Sequence, residues 1–91
     1  MASKEPNDYR VVLTKQAKKF ISAIPKNYYR IISQHLLNLE HDPFPQGSIK
    51  LKGSENEYRL RAGVYRILYI VEHNQLMVMV IKIGHRKDVY D

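Results

Sequence analysis

Three arginines fall within the stretch YRLRAGVYR, residues 58–66: Arg59, Arg61 and Arg66. The types around them favour strands, and a strand that only covers a core has no use for such crowding. Like charges set across a strand pair repel, so their convergence calls for an anion. A guanidinium fork matches the oxygens of a phosphate. Further along, GHRKDVYD adds His85, Arg86 and Tyr90. Arginine keeps its charge and is a poor general base. Histidine titrates in the useful range. A tyrosine beside arginines is pulled down toward that range, and it can also stack on a nucleobase. The candidate anion-binding set is therefore Arg59, Arg61, Arg66 and Arg86 with Tyr90 at its rim, and His85 is the one histidine with prospects as an acid or base.

The elements that must position this set form a simple series. Residues 1–7 are polar and expected to fray. Residues 9–13 (YRVVL) read as a first strand. Thr14 is placed to cap a helix carrying Ala17, Phe20, Ile21 and Ile24 at helical spacing, which Pro25 ends. A second helix follows from the stripe Tyr28, Ile31, Ile32, Leu36 and Leu39, and it stops before Asp42-Pro43. Residues 42–56 are rich in Pro, Gly and Ser and read as a loop, with room for a short strand at 49–52. Three strands come next, at 57–61, 64–71 and 76–84, joined by turns at Ala62-Gly63 and His73-Asn74. Strands 64–71 and 76–83 are so continuously apolar that both faces are expected to be covered. The fold class is α+β in the order β-α-α-β-β-β, a helical hairpin on a twisted antiparallel sheet.

A two-residue turn at Ala62-Gly63 sets Arg59 opposite Arg66 and Arg61 opposite Val64. Arg59 and Arg61 share a face because strand side chains alternate. The competing reading is a solvated strand whose arginines pair with Glu55, Glu57, Glu72 or Asp88. His35, His41 and His73 read as structural or exposed, and Tyr58, Tyr65 and Tyr69 as packing residues.

The 91 residues carry a formal charge of +6, a hydrophobic fraction of 44% and no cysteine. That length suits one domain spanning 1–91, and the charge suits an anionic partner. Disulfide, thiolate-metal and cysteine-nucleophile chemistry are excluded. No His/Asp/Glu spacing suggests a metal site and no glycine loop suggests a bound nucleotide cofactor, so neither a metal nor a cofactor is expected. The longest apolar run, 76–81, is far short of a membrane span, and the start of the chain lacks the pattern of a signal peptide. A cytoplasmic protein without a membrane partner is expected.

The segments IKLKG (49–53), YRLRAGVYRILYIV (58–71) and IKIGHRKDVYD (81–91) together resemble the RelE/ParE superfamily of toxins. The resemblance implies a toxin of a type II toxin–antitoxin pair. On the RelE side it implies a metal-independent endoribonuclease that cuts mRNA in the ribosomal A site. Arg59, Arg61, Arg66, Arg86 and Tyr90 would then act on the message, with Lys50, Lys52, Lys82 and Lys87 holding RNA or ribosome. The implied partners are an acidic, partly disordered antitoxin, the ribosome and mRNA. Two departures stand out: the best-known RelE pattern has lysines, and a longer turn, where this chain has Arg59 and Arg61, and Tyr90 is closer to the final arginine than in that pattern, although the short GHRxxVY ending is common in the wider family. The alternatives are a ParE-like inhibitor of DNA gyrase and a non-catalytic RNA- or protein-binding module.

Overall fold

The computed structural model describes residues 8–85. The elements are β1 (Arg10–Leu13), α1 (Lys15–Ser22), α2 (Lys26–His41), β2 (Ser48–Lys50), β3 (Glu57–Ala62), β4 (Tyr65–Glu72), a 3-10 turn His73–Gln75 and β5 (Met77–His85). The expected fraying of residues 1–7 lies outside the described residues.

Thr14 sets where α1 begins. Its backbone is still extended and its amide donates to the Val80 carbonyl at 3.0 Å, while its hydroxyl accepts from the Ala17 amide at 3.2 Å. The same hydroxyl donates to the Ile81 carbonyl at 2.6 Å. One side chain therefore caps a helix and ties it to β5. Pro25 occupies the cap position of α2, where the missing amide proton does no harm. Asp42 leaves the helical region ahead of Pro43.

The five strands form one sheet in the order β1-β5-β4-β3-β2. It is the expected helical hairpin on a sheet, with two refinements. The short strand in the 42–56 segment is real and covers Ser48–Lys50. The first strand joins the far edge, where it runs parallel to β5 with Arg10 opposite Met77 and Leu13 opposite Val80.

The turns differ from expectation. The β3–β4 hairpin turns at Gly63-Val64, with Ala62 opposite Tyr65, and not at Ala62-Gly63. Gly63 has φ +65° and Val64 keeps a negative φ. Glycine in the first central position is the type II′ requirement. A turn centred on Ala62-Gly63 would force an alanine into the left-handed region. The β4–β5 connection is also longer than His73-Asn74. A 3-10 turn ends at Leu76, which takes φ +48° and donates its amide to the His73 carbonyl.

Both helices pack on one face of the sheet. Ala17, Ile21, Ile32 and Leu39 bury themselves against Leu60, Ala62, Tyr65, Ile67, Tyr69, Val71, Val78, Val80 and Ile83. Tyr65 sits edge-on between Phe20 and Tyr28, with ring centroids 5.6 and 5.4 Å away. The Tyr69 hydroxyl donates to the Pro43 carbonyl, and burial pushes its phenol up to about 12. In the second helix, Ile31 is 43% exposed and stands outside the core. His35 is half-buried in its place on the inward stripe, and desolvation lowers its pKa.

The expectation that β4 and β5 are covered on both faces does not hold. β4 alternates strictly, with odd positions buried and even positions half-buried. The even-numbered face carries no described helix. Alternation, and not a continuous buried run, is what a one-sided sheet demands.

Replacing Thr14 by alanine removes both the helix cap and the tie to Ile81. We expect a loss of about 1–2 kcal/mol, which for a domain of this size lowers the unfolding midpoint by roughly 4–8 °C per kcal/mol. Thr14→Ser keeps the hydroxyl and should recover most of that loss; thermal denaturation checks both.

Candidate functional site

The helix-free face of the sheet holds the arginines. Arg61 lies directly opposite Arg66, and Arg59 directly opposite Leu68. The sequence expectation had set Arg59 against Arg66, two positions away. A shift of two preserves which side of the sheet each residue faces, because side chains alternate with period two. Arg59, Arg61 and Arg66 therefore share one face.

The three differ in environment. Arg61 is exposed, Arg66 is half-buried, and Arg59 is only 6% exposed. The Nε atoms of Arg59 and Arg66 are both sealed from solvent. Desolvation, then the charges of Arg66 and Arg61, hold the Arg59 guanidinium below the usual arginine range. Burying one cation beside two others opposes folding. An arrangement of this kind can bind an anion with several charge-assisted hydrogen bonds and little rearrangement. Of the carboxylates proposed as partners, Glu72 accepts from the Asn56 side-chain amide at 3.2 Å.

A bulge in β5 decides the rest of the site. Tyr69 faces Val80 while Leu68 faces Lys82, so Ile81 is the inserted residue. One extra residue exchanges the two faces for everything after it. Lys82 and Gly84 are thereby turned to the arginine face, with Gly84 directly opposite Arg66. Ile83 is 2% exposed and belongs to the core. His85 goes with it to the helical side. It faces Tyr65, with ring centroids 6.0 Å apart. It also lines a cleft of about 420 Å³ with Phe20 and Ala23. The structure does not bring His85 together with the arginines.

The other lysines scatter. Lys50 is exposed and pairs with Tyr58, on the opposite side from Arg59. Lys52 is exposed in the turn after β2. Arg86, Lys87 and Tyr90 lie outside the described residues.

Leu68 is a residue the sequence reading passed over. It lies between Arg59 on β3 and Lys82 on β5, on the arginine face. Its only signal in the sequence is its even-numbered position two residues after Arg66, which places both on the same side of β4.

Comparison with known proteins now bears on this arrangement. Residues 11–90 match the family described as the ParE toxin of type II toxin–antitoxin system, parDE. The chain is 32% identical to the RelE-RelB complex of Pyrococcus horikoshii OT3 as solved in a crystal, with a TM-score of 0.80. That match covers 90% of this chain and 99% of the other. The chain belongs to the RelE/ParE family of type II toxins. Toxin RelG of Mycobacterium tuberculosis is 23% identical over 83 residues, spanning 90% of this chain and 95% of RelG. The isolated E. coli RelE toxin superposes with a TM-score of 0.73 at 24% identity, covering 85% and 83% of the two chains. Its low identity speaks for the fold alone. In this RelE/ParE toxin the fold is thus a helical hairpin laid on one side of a sheet, with a cationic face left on the other.

Arg59→Met tests the electrostatic description of this toxin's site. A linear apolar side chain keeps much of the buried volume and removes one of three neighbouring cations. We expect the stability of the wild type to depend more steeply on salt than that of Arg59→Met, because salt screens the repulsion among the three arginines. Arg61→Met, at an exposed position, should change stability by less than about 0.5 kcal/mol. An equal salt dependence of the unfolding midpoint in wild type and Arg59→Met would contradict the description.

Proposed function

We propose that this toxin is a ribosome-dependent endoribonuclease that cleaves mRNA in the A site and so halts translation. The observation that supports the reading is the convergence of Arg59, Arg61 and Arg66 on one sheet face, with Arg59 buried there. The 2′-OH of the message attacks the adjacent phosphorus in line. Its proton passes to a base, the P–O5′ bond breaks, and the leaving 5′ oxygen is protonated. The products are a 2′,3′-cyclic phosphate and a 5′-OH, with no metal or external nucleophile. Arg66 and Arg86 stabilise charge on the phosphorane, Arg59 and Arg61 anchor the phosphate, and Tyr90 orients the nucleotide or moves a proton. Lys82 holds the backbone beside them. With His85 on the helical side, Tyr90 is the better candidate for the base. The ribosome supplies part of the in-line geometry, so free RNA is a poor substrate and the site of action is the cytoplasm.

A second partner follows from the opposite face. Tyr29, Ile31 and Leu37 are 48%, 43% and 55% exposed on α2. Clefts beside them are lined by Leu13, Ile21 and Leu36. The P. horikoshii relative was solved as a RelE-RelB complex. We take these apolar positions and the basic net charge as support for an acidic antitoxin that folds on binding.

The description of the matching family favours one competing reading, a ParE-like inhibitor of DNA gyrase. Inducible expression followed by primer extension on translated message separates the two. The wild type should leave 5′ ends inside ribosome-bound codons. Arg66→Ala and Arg86→Ala should each slow this by on the order of 10² to 10³, and Tyr90→Phe should also slow it. His85→Gln should cost less than about tenfold, well below what loss of a general base would cost. Growth arrest with intact message and broken chromosomal DNA would favour gyrase. Salt-sensitive RNA binding without cleavage would leave only a binding module.

A further inference from the structure

The cationic face contains an apolar residue that phosphate binding alone does not account for. Leu68 lies at its centre. Arg59 is directly opposite on one side and Lys82 directly opposite on the other. Arg66 is two residues away along the same strand and same face, with Arg61 across from it. Neighbouring strands lie about 4.8 Å apart, so Arg59 and Lys82 stand roughly 10 Å apart with the leucine between them. Leu68 is half-buried and still open to solvent. On the far side of Arg59, directly opposite it, Ile49 is 50% exposed. Across the face the order is therefore apolar, cation, apolar, cation.

A phosphate or an acidic side chain would be served better by a hydroxyl or amide at such a point, since either could donate a further hydrogen bond. An aliphatic surface among four cations fits a ligand with negative charge and a flat apolar plane held close together. A nucleotide has both: its phosphate takes the guanidinium groups and its base lies on the carbon surface. We propose that Leu68 is the floor on which a nucleobase next to the scissile phosphate rests, so that it positions the message and contributes to which codons are cut. The inference rests on the nuclease reading above and deepens it.

Mapping RNA 5′ ends on ribosomes tests it, with each variant first shown to be folded by thermal denaturation. Leu68→Thr keeps a strand-forming residue and replaces apolar surface by a hydroxyl. It should slow cleavage about tenfold and redistribute the cut sites among codons. Leu68→Val, shorter by one methylene, should shift the distribution in the same direction by less, and it serves if the threonine variant fails to fold. Leu68→Met, which keeps an apolar surface of similar volume, should restore the wild-type distribution of cut sites that Leu68→Thr loses. Ile70→Thr makes the same chemical change two residues further along this face, opposite Glu57, and should retain the wild-type distribution. An unchanged distribution in Leu68→Thr, at whatever rate, would overturn the inference while leaving the nuclease reading intact. So would an unchanged distribution accompanied by weaker antitoxin binding, because Leu68 would then belong to the partner interface. If the wild type leaves message uncut, the nuclease reading falls and this inference falls with it.

Discussion

Guanidinium groups repel, and the backbone ladder of this toxin leaves them nowhere else to go. Arg61 and Arg66 are set across one strand pair, and Arg59 is enclosed on the same side. The opposing force is the apolar core on the other side of the same strands. Leu60 and Ala62 alternate with the β3 arginines, and Tyr65 and Ile67 flank Arg66 on β4, all at 8% exposure or less. Turning an arginine away from its companions would require turning core residues out into water. Burial of a Leu- or Ile-sized side chain stabilises by about 1.5–3 kcal/mol, and several such residues outweigh a screened repulsion between cations. The hydrophobic alternation thus imposes a charge distribution that would not form unaided.

Two glycines and one inserted residue refine that distribution. Gly63 places the turn so that arginine faces arginine. Gly84 faces Arg66 from the other strand and adds no side chain of its own to the cationic face. Ile81, inserted in β5, sends Lys82 to the cationic face and His85 to the helical one. The carbonyl of that residue is held by Thr14, so the helix cap and the composition of the site meet at one hydroxyl.

The sequence was a good guide wherever a feature depends on short-range chemistry. Thr14 and Pro25 announce the start and the break of the helices, and Asp42-Pro43 announces the stop. The common face of the three arginines was legible because facing survives a register error of two. The register itself was misread because Ala62-Gly63 and Gly63-Val64 are both short turns on paper, and only the sign of φ at the first central position separates them. The side of His85 could not be read, because it depends on a bulge that leaves no mark in a run as uniform as MVMVIKI. Ile31 was assigned to the core and His35 was not. Polarity ranks them in the reverse of their observed burial, since the helix is rotated by its packing against the sheet and not by the sum of its own side chains. The parallel edge strand arises from pairing across 67 residues, beyond the reach of any local pattern.

That long pairing governs the order of assembly. The strand made earliest among those described can join the sheet only once the last of them has left the ribosome, because β5 is the one strand beside β1 among the described residues. Closure of so long a loop is entropically slow. A nascent chain therefore completes its arginine hairpin before it has the strand on which β1 docks, and a product truncated before residue 77 would lack that strand altogether. This toxin is, by its topology, unfinished until its own synthesis has passed the last described strand.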